Sequence, residues 1–462
     1  MAVLPGDPAM TQPRLPNFVS VLCSRFLGID RSVGFLLAAR LVQLAFYAAV
    51  VVLIVRHLTA NEQGFYYTFF SILSLQVFVD LGLAIVIVSN TSHEWASLHI
   101  DATRRIVGDP VALARLINMG RVAIKWFGFA MLLFIPCVGV AGWIFFSINP
   151  EPTVSWHGPW AVLVVLSGLG IGMTPFNAVL EGCNQVEKVN RTKLEQVVLE
   201  GLAVCAGLLL GAGLWAAALS VAVRVVRNAY LVFFEYREFF RPFRFRANGA
   251  QVDWFLEIWP MQWRLGVSGL VTYFLNSLYN PVMFHYHGAV VAGQTGITLQ
   301  VTTGLSIVAM SWIATKVPRF GTLIAKKQYE ELDLLWRRAS LVSLAMIMLG
   351  ATFVWLALYV GKAAGWGFVQ RMLGPLPTAI FLLAAVVAQF VQCLVYYLRA
   401  HKREPIMIAS VSICIGTGLL VWQLGMHWGP IGAATGYLVV ISLGAVWIWA
   451  IWRHSRRIWH TV

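Results

Sequence analysis

The sequence predicts an all-α polytopic membrane protein with about 12 transmembrane helices in two six-helix lobes. Its 462 residues are 59% hydrophobic and only 12% charged, and the mean hydropathy is +0.74. Soluble domains carry about 25% charged residues, so half of that proportion leaves too little polar surface to face water. The apolar residues also fall in runs long enough to cross a hydrocarbon core, which takes ~20 residues per helix. The basic residues lie between these runs.

Twelve apolar runs are predicted to be spans, and they divide the chain into two halves. The predicted helices 1 to 12 cover residues 33–55, 65–89, 122–147, 158–181, 194–212, 215–236, 258–284, 292–315, 339–361, 375–398, 405–425 and 429–452. Unbroken runs of this length are not the alternating pattern of a membrane barrel. The predicted segments are a cytoplasmic N-terminal segment (1–32), an N-terminal lobe (33–240), a cytoplasmic linker (241–257), a C-terminal lobe (258–452) and a cytoplasmic tail (453–462).

The distribution of basic residues predicts the orientation of these helices. With alternating sides assigned to successive loops, 26 of the 34 Lys and Arg residues fall on the side of both termini. Only Arg56, Lys362 and Arg371 fall in loops on the other side. Cytoplasmic loops collect Lys and Arg, so both termini are predicted to be cytoplasmic in a multi-pass protein of a bacterial inner membrane. The net charge of +14 is explained by these loops, and no nucleic-acid partner is expected.

A faint internal repeat supports the division into two lobes. Helix 1 contains Arg40-Leu41 and leads to Gln63-Gly64, while helix 7 contains Arg264-Leu265 and leads to Gly293-Gln294. Parallel repeats about an axis along the membrane normal are a known design of transporters.

Two arginines lie near the middle of helix 6, where a charged side chain is costly unless it faces water or a partner. Arg224 and Arg227 are three residues apart and therefore share a helix face. Two guanidinium groups together suit a bidentate oxyanion such as phosphate. The alternative is that they pair with Glu195 or Glu200 of helix 5, and the sequence does not decide between these roles.

Other polar residues within spans predict a hydrophilic cavity. Arg40 shares a stripe with Gln43 and Tyr47, and Arg264 shares a face with Ser268, although both arginines could instead snorkel to the interface. The predicted polar cavity residues are Gln43, Asn177, Asn276, Gln294 and Thr298. Interhelical hydrogen bonding is the alternative role for these residues.

Acidic residues within or beside the spans could couple transport to an ion gradient. The residues that could carry protons in this way are Glu200, Glu181 and Asp80. Asp80 is expected near the cytoplasmic end of helix 2, where capping the helix is its alternative role.

Motifs of catalytic sites are missing from the sequence. There is no GxxxxGK[ST] loop, no HExxH and no CxxC pair, so neither a metal nor a cofactor is predicted. His285 and His287 flank an outer turn without a nucleophile or acid beside them. No catalytic residues are predicted, and the chain is not expected to be an enzyme.

Four short motifs carry a family resemblance. Helix 1 contains Arg40-Leu-Val-Gln43 and leads into VRHLTANEQGFYYTFFSI, helix 2 contains DLGL from Asp80, and LEGCNQVEKVNRTKL joins helices 4 and 5. The fourth stretch is 259–300. Together they resemble the polysaccharide (O-antigen-type) flippases of the multidrug/oligosaccharidyl-lipid/polysaccharide exporter superfamily. Thr59-Ala60 stands where that family has a proline in its first turn.

The resemblance implies a two-lobe inverted V around a cationic cavity. It implies that a polyprenyl-pyrophosphate-linked oligosaccharide passes from the cytoplasmic to the periplasmic leaflet by alternating access. Arg224, Arg227, Arg40 and Arg264 would then hold the pyrophosphate or acidic sugars. The implied partners are this lipid-linked glycan, membrane lipids, a polysaccharide polymerase and a chain-length regulator.

Two alternative functions remain open. A multidrug or metabolite exporter of the same superfamily would use membrane-embedded carboxylates for cationic cargo. A membrane-embedded glycan polymerase is disfavoured because the outer loops are short.

Overall fold

The computed structural model describes residues 31–101, 103–245, 277–401 and 405–460, together with short stretches between 253 and 274. Most of the predicted N-terminal segment and of the predicted linker lies outside the described residues. So do two of the predicted site residues, Arg264 and Asn276.

The described part of the N-terminal lobe has six long helices, of which the second is broken. They are α1 (Arg31–His57), α2a (Ala60–Leu73, continued by a 3-10 turn and Val77–Asp80), α2b (Leu83–Trp95), α3 (Pro110–Ile148), α4 (His157–Gly182), α5 (Val186–Leu209) and α6 (Trp215–Tyr230, continued by a π-helical turn, Leu231–Glu235). The short helical turns Arg237–Phe240 and Arg241–Arg244 follow the lobe's last long helix. Two short antiparallel strands, β1 (Leu98–Ile100) and β2 (Ile106–Gly108), form a hairpin between α2b and α3.

The described part of the C-terminal lobe contains two helical stretches that are each divided by a glycine. Gly288 divides Tyr279–Ala314 into the end of α7 (279–287) and α8 (289–314), and Gly429 divides Met407–His460 into α11 (407–428) and α12 (430–460). Between them lie α9 (Tyr329–Ala363) and α10 (Pro375–Ala400). The short helices Val317–Ala325 and Gly367–Gln370 lie in the loops before α9 and α10.

The predicted fold class is confirmed, and the count of twelve agrees with the helices. Among the described residues, eight helices are long and apolar enough to cross a membrane, and broken α2 makes nine. Division of the last stretch at Gly429 adds α12. The other two of the twelve are α7 and α5. Only part of α7 is described, and the first half of α5 carries several charged residues, so neither is counted as an apolar span.

Several helices extend beyond their predicted ends on the side of the basic loops. Helix α3 begins at Pro110, twelve residues before its predicted start, because Asp109 accepts a hydrogen bond from the Ala112 N–H and Pro110 suits the first turn. Helix α12 continues to His460. Hydropathy detects only the part of a helix inside the hydrocarbon, so it does not predict these polar extensions.

The β-hairpin, which was not predicted, is tightened at its turn. Asp101 accepts hydrogen bonds from the Arg105 N–H (2.8 Å) and the Thr103 hydroxyl (2.8 Å). These bonds lower the pKa of the Asp101 carboxyl below its usual range.

Helices α11 and α12 form a closed antiparallel hairpin. Gly429 has φ 58°, a left-handed conformation that favours glycine, and Pro430 starts the returning helix. Small residues allow close packing along the pair: Gly432 packs against the Leu424 backbone, and Gly444 packs against Ile413.

The extension of α12 binds the ends of α9 and α10 through five residues, which we call the C-terminal clasp. Arg456 lies 2.5 Å from Asp333, and the Tyr397 hydroxyl donates to the same carboxylate at 2.6 Å. The His460 ring lies 3.0 Å from the Tyr397 hydroxyl and stacks on Tyr329. Burial lowers the pKa of His460, which lies beyond the predicted span.

The two lobes meet where α2a and α8 begin, on the side away from the basic loops. We call the side of the basic loops the basic side and the other the opposite side. A Cβ atom on Gly64 would lie 1.9 Å from the Ala289 carbonyl oxygen, and one on Gly293 would lie 2.9 Å from the Gly64 nitrogen. This glycine contact (Gly64, Ala289 and Gly293) brings the two backbones together.

Further interlobe contacts follow the glycine contact toward the centre of the membrane. The Tyr67 hydroxyl donates to Gln300 at 2.6 Å, and Asn280 donates to the Ser71 hydroxyl at 3.0 Å. On the opposite side, Phe284 packs its ring at 4.9 Å from the ring of Phe65. The lobes are therefore packed together at the opposite side.

The glycine contact generates a stability prediction. We expect Gly64→Ala to destabilise the protein by about 1–3 kcal/mol, since the new methyl group must push α2a and α8 apart. Gly304→Ala is the matched control, because nothing lies within 4 Å of its Cβ position. Thermal unfolding of the purified protein can be followed through its 19 tryptophans. Equal midpoints for the two variants would show that the close approach of the helices is not needed.

Candidate functional site

A cavity of about 690 Å³ lies mainly within the N-terminal lobe. It begins at Phe70 and Ser74, on the basic side of the glycine contact. It reaches Glu181 and Lys193, near the basic-side ends of α4 and α5. Most of its wall comes from α2, α4 and α6, and Tyr273 and Ser277, which precede Tyr279–Ala314, also line it. The cavity therefore extends from mid-membrane to the basic side.

Four charged side chains line this cavity in the described residues, and three of them have an ionic partner. Glu181 and Lys193 pair with each other at 2.6 Å. Arg224 donates two hydrogen bonds to Glu200, at 2.9 and 2.8 Å, in a bidentate arrangement. The Arg224 side chain is 48% exposed and faces the cavity. The fourth side chain, Asp80, has no ion-pair partner among the described residues.

Arg227 has a different environment from Arg224. Its side chain is only 13% exposed, and it contacts Glu195 at 2.5 Å and Glu235 at 3.1 Å. It is not part of the cavity wall. The two arginines therefore do not form a joint fork for one anion in this conformation, and each has the carboxylate partner that was the alternative. Anion binding by either residue stays a prediction.

Asp80 lies at a break in the middle of α2, not at its end as predicted. Leu81 (φ 45°) and Gly82 (φ 71°) are left-handed, and the helix resumes to Trp95 after a bend of 45°. The Asp80 carboxylate accepts a hydrogen bond from the Ala84 N–H at 3.3 Å and so caps α2b. The break places this carboxylate in the cavity wall.

A group of three amides joins α4, α5 and α6 beside the cavity. Asn177, a predicted cavity residue, lines the wall and donates to Asn228 at 3.3 Å. Gln196 donates to the same oxygen of Asn228 at 2.6 Å. Asn228 and Gln196 were not predicted as site residues. Each directly follows a charged residue within a predicted span, Arg227 and Glu195, and this position could have identified them.

Three other predicted cavity residues do not line the cavity. Gln294 donates to the Gln370 carbonyl at 3.1 Å, and the Thr298 hydroxyl accepts from the Leu373 N–H at 3.2 Å. Both residues hold the loop before α10, because they lie near the opposite-side end of α8. Gln43 instead accepts from Arg40 at 3.2 Å and donates to Tyr47 at 2.9 Å, which forms the predicted stripe on α1.

The described lining is not predominantly cationic. Asp80 and Glu181 balance Lys193 and Arg224, and Glu200 further neutralises Arg224. The cationic cavity implied by the sequence resemblance is therefore not present in the described part of the wall. Within the described residues, no group of three His, Cys, Asp or Glu side chains could hold a metal ion.

Comparison with known proteins gives a match at the level of structure. No protein-family model matches the sequence, and no curated protein is significantly similar to it. The structure resembles an inward-facing multidrug resistance MATE family transporter of the MOP superfamily, with a TM-score of 0.63 and 14% identity over 92% of this chain and 99% of that one. MOP is the exporter superfamily to which the sequence motifs pointed.

Other MATE structures also resemble this structure over nearly the whole chain. The MATE multidrug transporter DinF-BH has a TM-score of 0.57 at 13% identity, covering 98% of this chain and 99% of that chain. The Vibrio cholerae MATE transporter VcmN has a TM-score of 0.53 at 12% identity, covering 96% and 99%. At such identities the likeness establishes a shared fold.

The environments of the two arginines predict different roles in stability. Arg227→Met should lower stability by about 3 kcal/mol, because it removes one partner of a buried ionic network. Arg224→Met should cost less, because the Arg224 side chain is 48% exposed and faces the cavity, whereas Arg227 is 13% exposed. Thermal unfolding midpoints in detergent would test this order. If Arg224→Met were the more damaging change, the assignment of Arg227 as the structural arginine would fail.

Proposed function

We propose that this protein is a transporter that exports amphipathic organic solutes by alternating access. The observation that carries the proposal is the cavity, which reaches the basic side while the glycine contact packs the lobes together on the opposite side. Such an arrangement can load a solute from one side and release it to the other after the lobes reorient. The shared fold with MATE transporters supports this proposal.

The direction of transport follows from the orientation that we propose. If the basic side is the cytoplasm of a bacterial cell, as the excess of Lys and Arg in its loops favours, the cavity is loaded from the cytoplasm. Reorientation then exports the solute across the inner membrane.

The cavity favours a drug-sized cargo with a positive charge. Ligand pockets for such molecules typically measure about 300–1,000 Å³ and are mostly apolar with a few polar groups. This cavity of about 690 Å³ has Phe70, Phe127 and Ile171 in its wall, and Asp80 is its unpaired charge among the described residues. MATE structures described as multidrug transporters have the same fold, which supports this cargo class.

Asp80 is the acid that we assign to ion coupling. Of the three acids predicted for this role, Glu181 is paired with Lys193, and Glu200 is paired with Arg224. Ionisable residues inside membranes commonly serve proton relays. Asp80 would bind either the cationic cargo or a proton, but not both at once. This competition for one carboxylate would couple export to the proton gradient.

A flippase for a lipid-linked oligosaccharide is the second candidate. It is favoured by Arg224, whose guanidinium faces the cavity in the bidentate geometry that also suits phosphate. In that case the pyrophosphate would replace Glu200 as the partner of Arg224. A polysaccharide polymerase and a chain-length regulator would then act on the flipped glycan.

One complementation experiment tests both candidates. In a deletion strain of the native host, we expect a cationic dye to accumulate several-fold and surface polysaccharide to remain normal. Wild type and Arg224→Gln should restore dye export, whereas Asp80→Asn should not, because it lacks the carboxylate. Asp101→Asn is the matched control, since Asp101 lies in the exposed hairpin turn. Protein levels in the membrane must be equal.

The opposite pattern would overturn the main proposal. Normal dye export with loss of surface polysaccharide, restored by wild type and not by Arg224→Gln, would favour the flippase. Full restoration of dye export by Asp80→Asn would refute the coupling role of Asp80.

A further inference from the structure

The loop between α9 and α10 belongs to the C-terminal lobe and contacts the N-terminal lobe. Its short helix, Gly367–Gln370, is followed by Arg371, Met372 and Leu373. Met372 and Leu373 are buried in the same apolar cluster as Leu58, which lies between α1 and α2a. The loop is therefore packed into the junction of the lobes on the opposite side.

Arg371 makes the polar contact across this junction. Its Nη2 donates to the Leu58 carbonyl at 3.0 Å. Leu58 directly follows the last residue of α1, and carbonyls at a helix C-terminus lack partners and carry partial negative charge. A cation from one lobe thus caps a helix of the other lobe.

A second hydrogen bond closes the same contact. Gln63, which is 1% exposed, donates from its side-chain amide to the Arg371 carbonyl at 3.2 Å. Gln63 directly precedes Gly64 of the glycine contact. The Arg371 loop and the glycine contact therefore adjoin each other, and the lobes cannot separate on the opposite side without breaking both.

Two polar atoms of this contact lack hydrogen-bond partners. Arg371 Nη1 and Gln63 Oε1 are both buried and have no hydrogen-bond partner among the described residues. A buried polar atom without a partner is costly, and separation of the lobes would expose both atoms to water. The contact thus combines a favourable helix cap with two unfavourable atoms, which suits a contact that forms and breaks in each cycle.

We propose that Arg371 is a positioning residue that latches the opposite side and so sets the balance between the two orientations of the lobes. This inference rests on the proposed alternating-access function. The latch consists of Arg371, Leu58 and Gln63. It acts on the equilibrium between conformations, away from the cavity in which the cargo binds.

Distance measurements between spin labels test the latch directly. One label pair, at Thr153 and His427, reports the opposite side, and another, at Glu187 and Lys326, reports the basic side; all four residues are exposed. The labels are placed in a full-length background whose six cysteines are replaced by alanine. We expect Arg371→Met to raise the ratio of opposite-open to basic-open protein several-fold, because the lost hydrogen bond to the Leu58 carbonyl is only partly offset by removal of the unpaired Nη1.

Three further variants complete the experiment. Arg371→Lys should restore most of the original ratio, because an ammonium group can also cap a helix C-terminus. Gln63→Met should shift the ratio in the same direction as Arg371→Met. It tests the same contact if Arg371→Met fails to fold. Arg56→Met is the matched control, since Arg56 is an exposed arginine near the same end of α1.

The possible outcomes separate the latch from the proposed function. Unchanged distances in both Arg371→Met and Gln63→Met, or an equal shift in Arg56→Met, would overturn the latch. Label distances that never show an opposite-open population, even with cationic dye and a pH gradient across liposomes, would refute alternating access itself. A shift in distances without a change in dye affinity would support the latch as a conformational element.

Discussion

The two-lobe architecture depends on the close approach of α2a and α8 at Gly64, Ala289 and Gly293. Without side chains at the two glycines, the backbones meet on the opposite side, and the rings of Phe65 and Phe284 also pack together there. Helix association in membranes relies on such small residues, since lipid removes the hydrophobic drive between helices. The cavity lies on the basic side of this contact.

Charge neutralisation is the second constraint on the N-terminal lobe. A bilayer tolerates buried arginine only with a partner or water, and α5 supplies Glu195 and Glu200 to the two arginines of α6. Because these pairs are satisfied within the lobe, the cavity has little net charge among its described residues. Asp80 is the exception, and it owes its place to a helix break instead of to a partner.

The sequence predicted the fold better than the site, for physical reasons. Each span must be long and apolar, and its loops must obey the charge rule, so about twelve spans could be inferred from the apolar runs and the positions of the basic residues along the sequence. Helix periodicity placed Arg224 and Arg227 on one face but could not predict which carboxylate of α5 lies opposite each of them. The break at Asp80 was missed because Leu81 is left-handed, a conformation that its side chain disfavours. Gln294 and Thr298 were misplaced because a polar face alone does not distinguish a cavity from a loop contact.

The C-terminal clasp has a consequence for biosynthesis. Arg456 and His460 lie at the end of the last described helix, yet they hold α9 and α10, which are synthesised more than fifty residues earlier. The α11–α12 hairpin must therefore enter the bilayer before the basic-side ends of those helices can be joined. The clasp can therefore close only after residue 456 has been synthesised, and a chain stalled before that residue would leave Asp333 without its arginine.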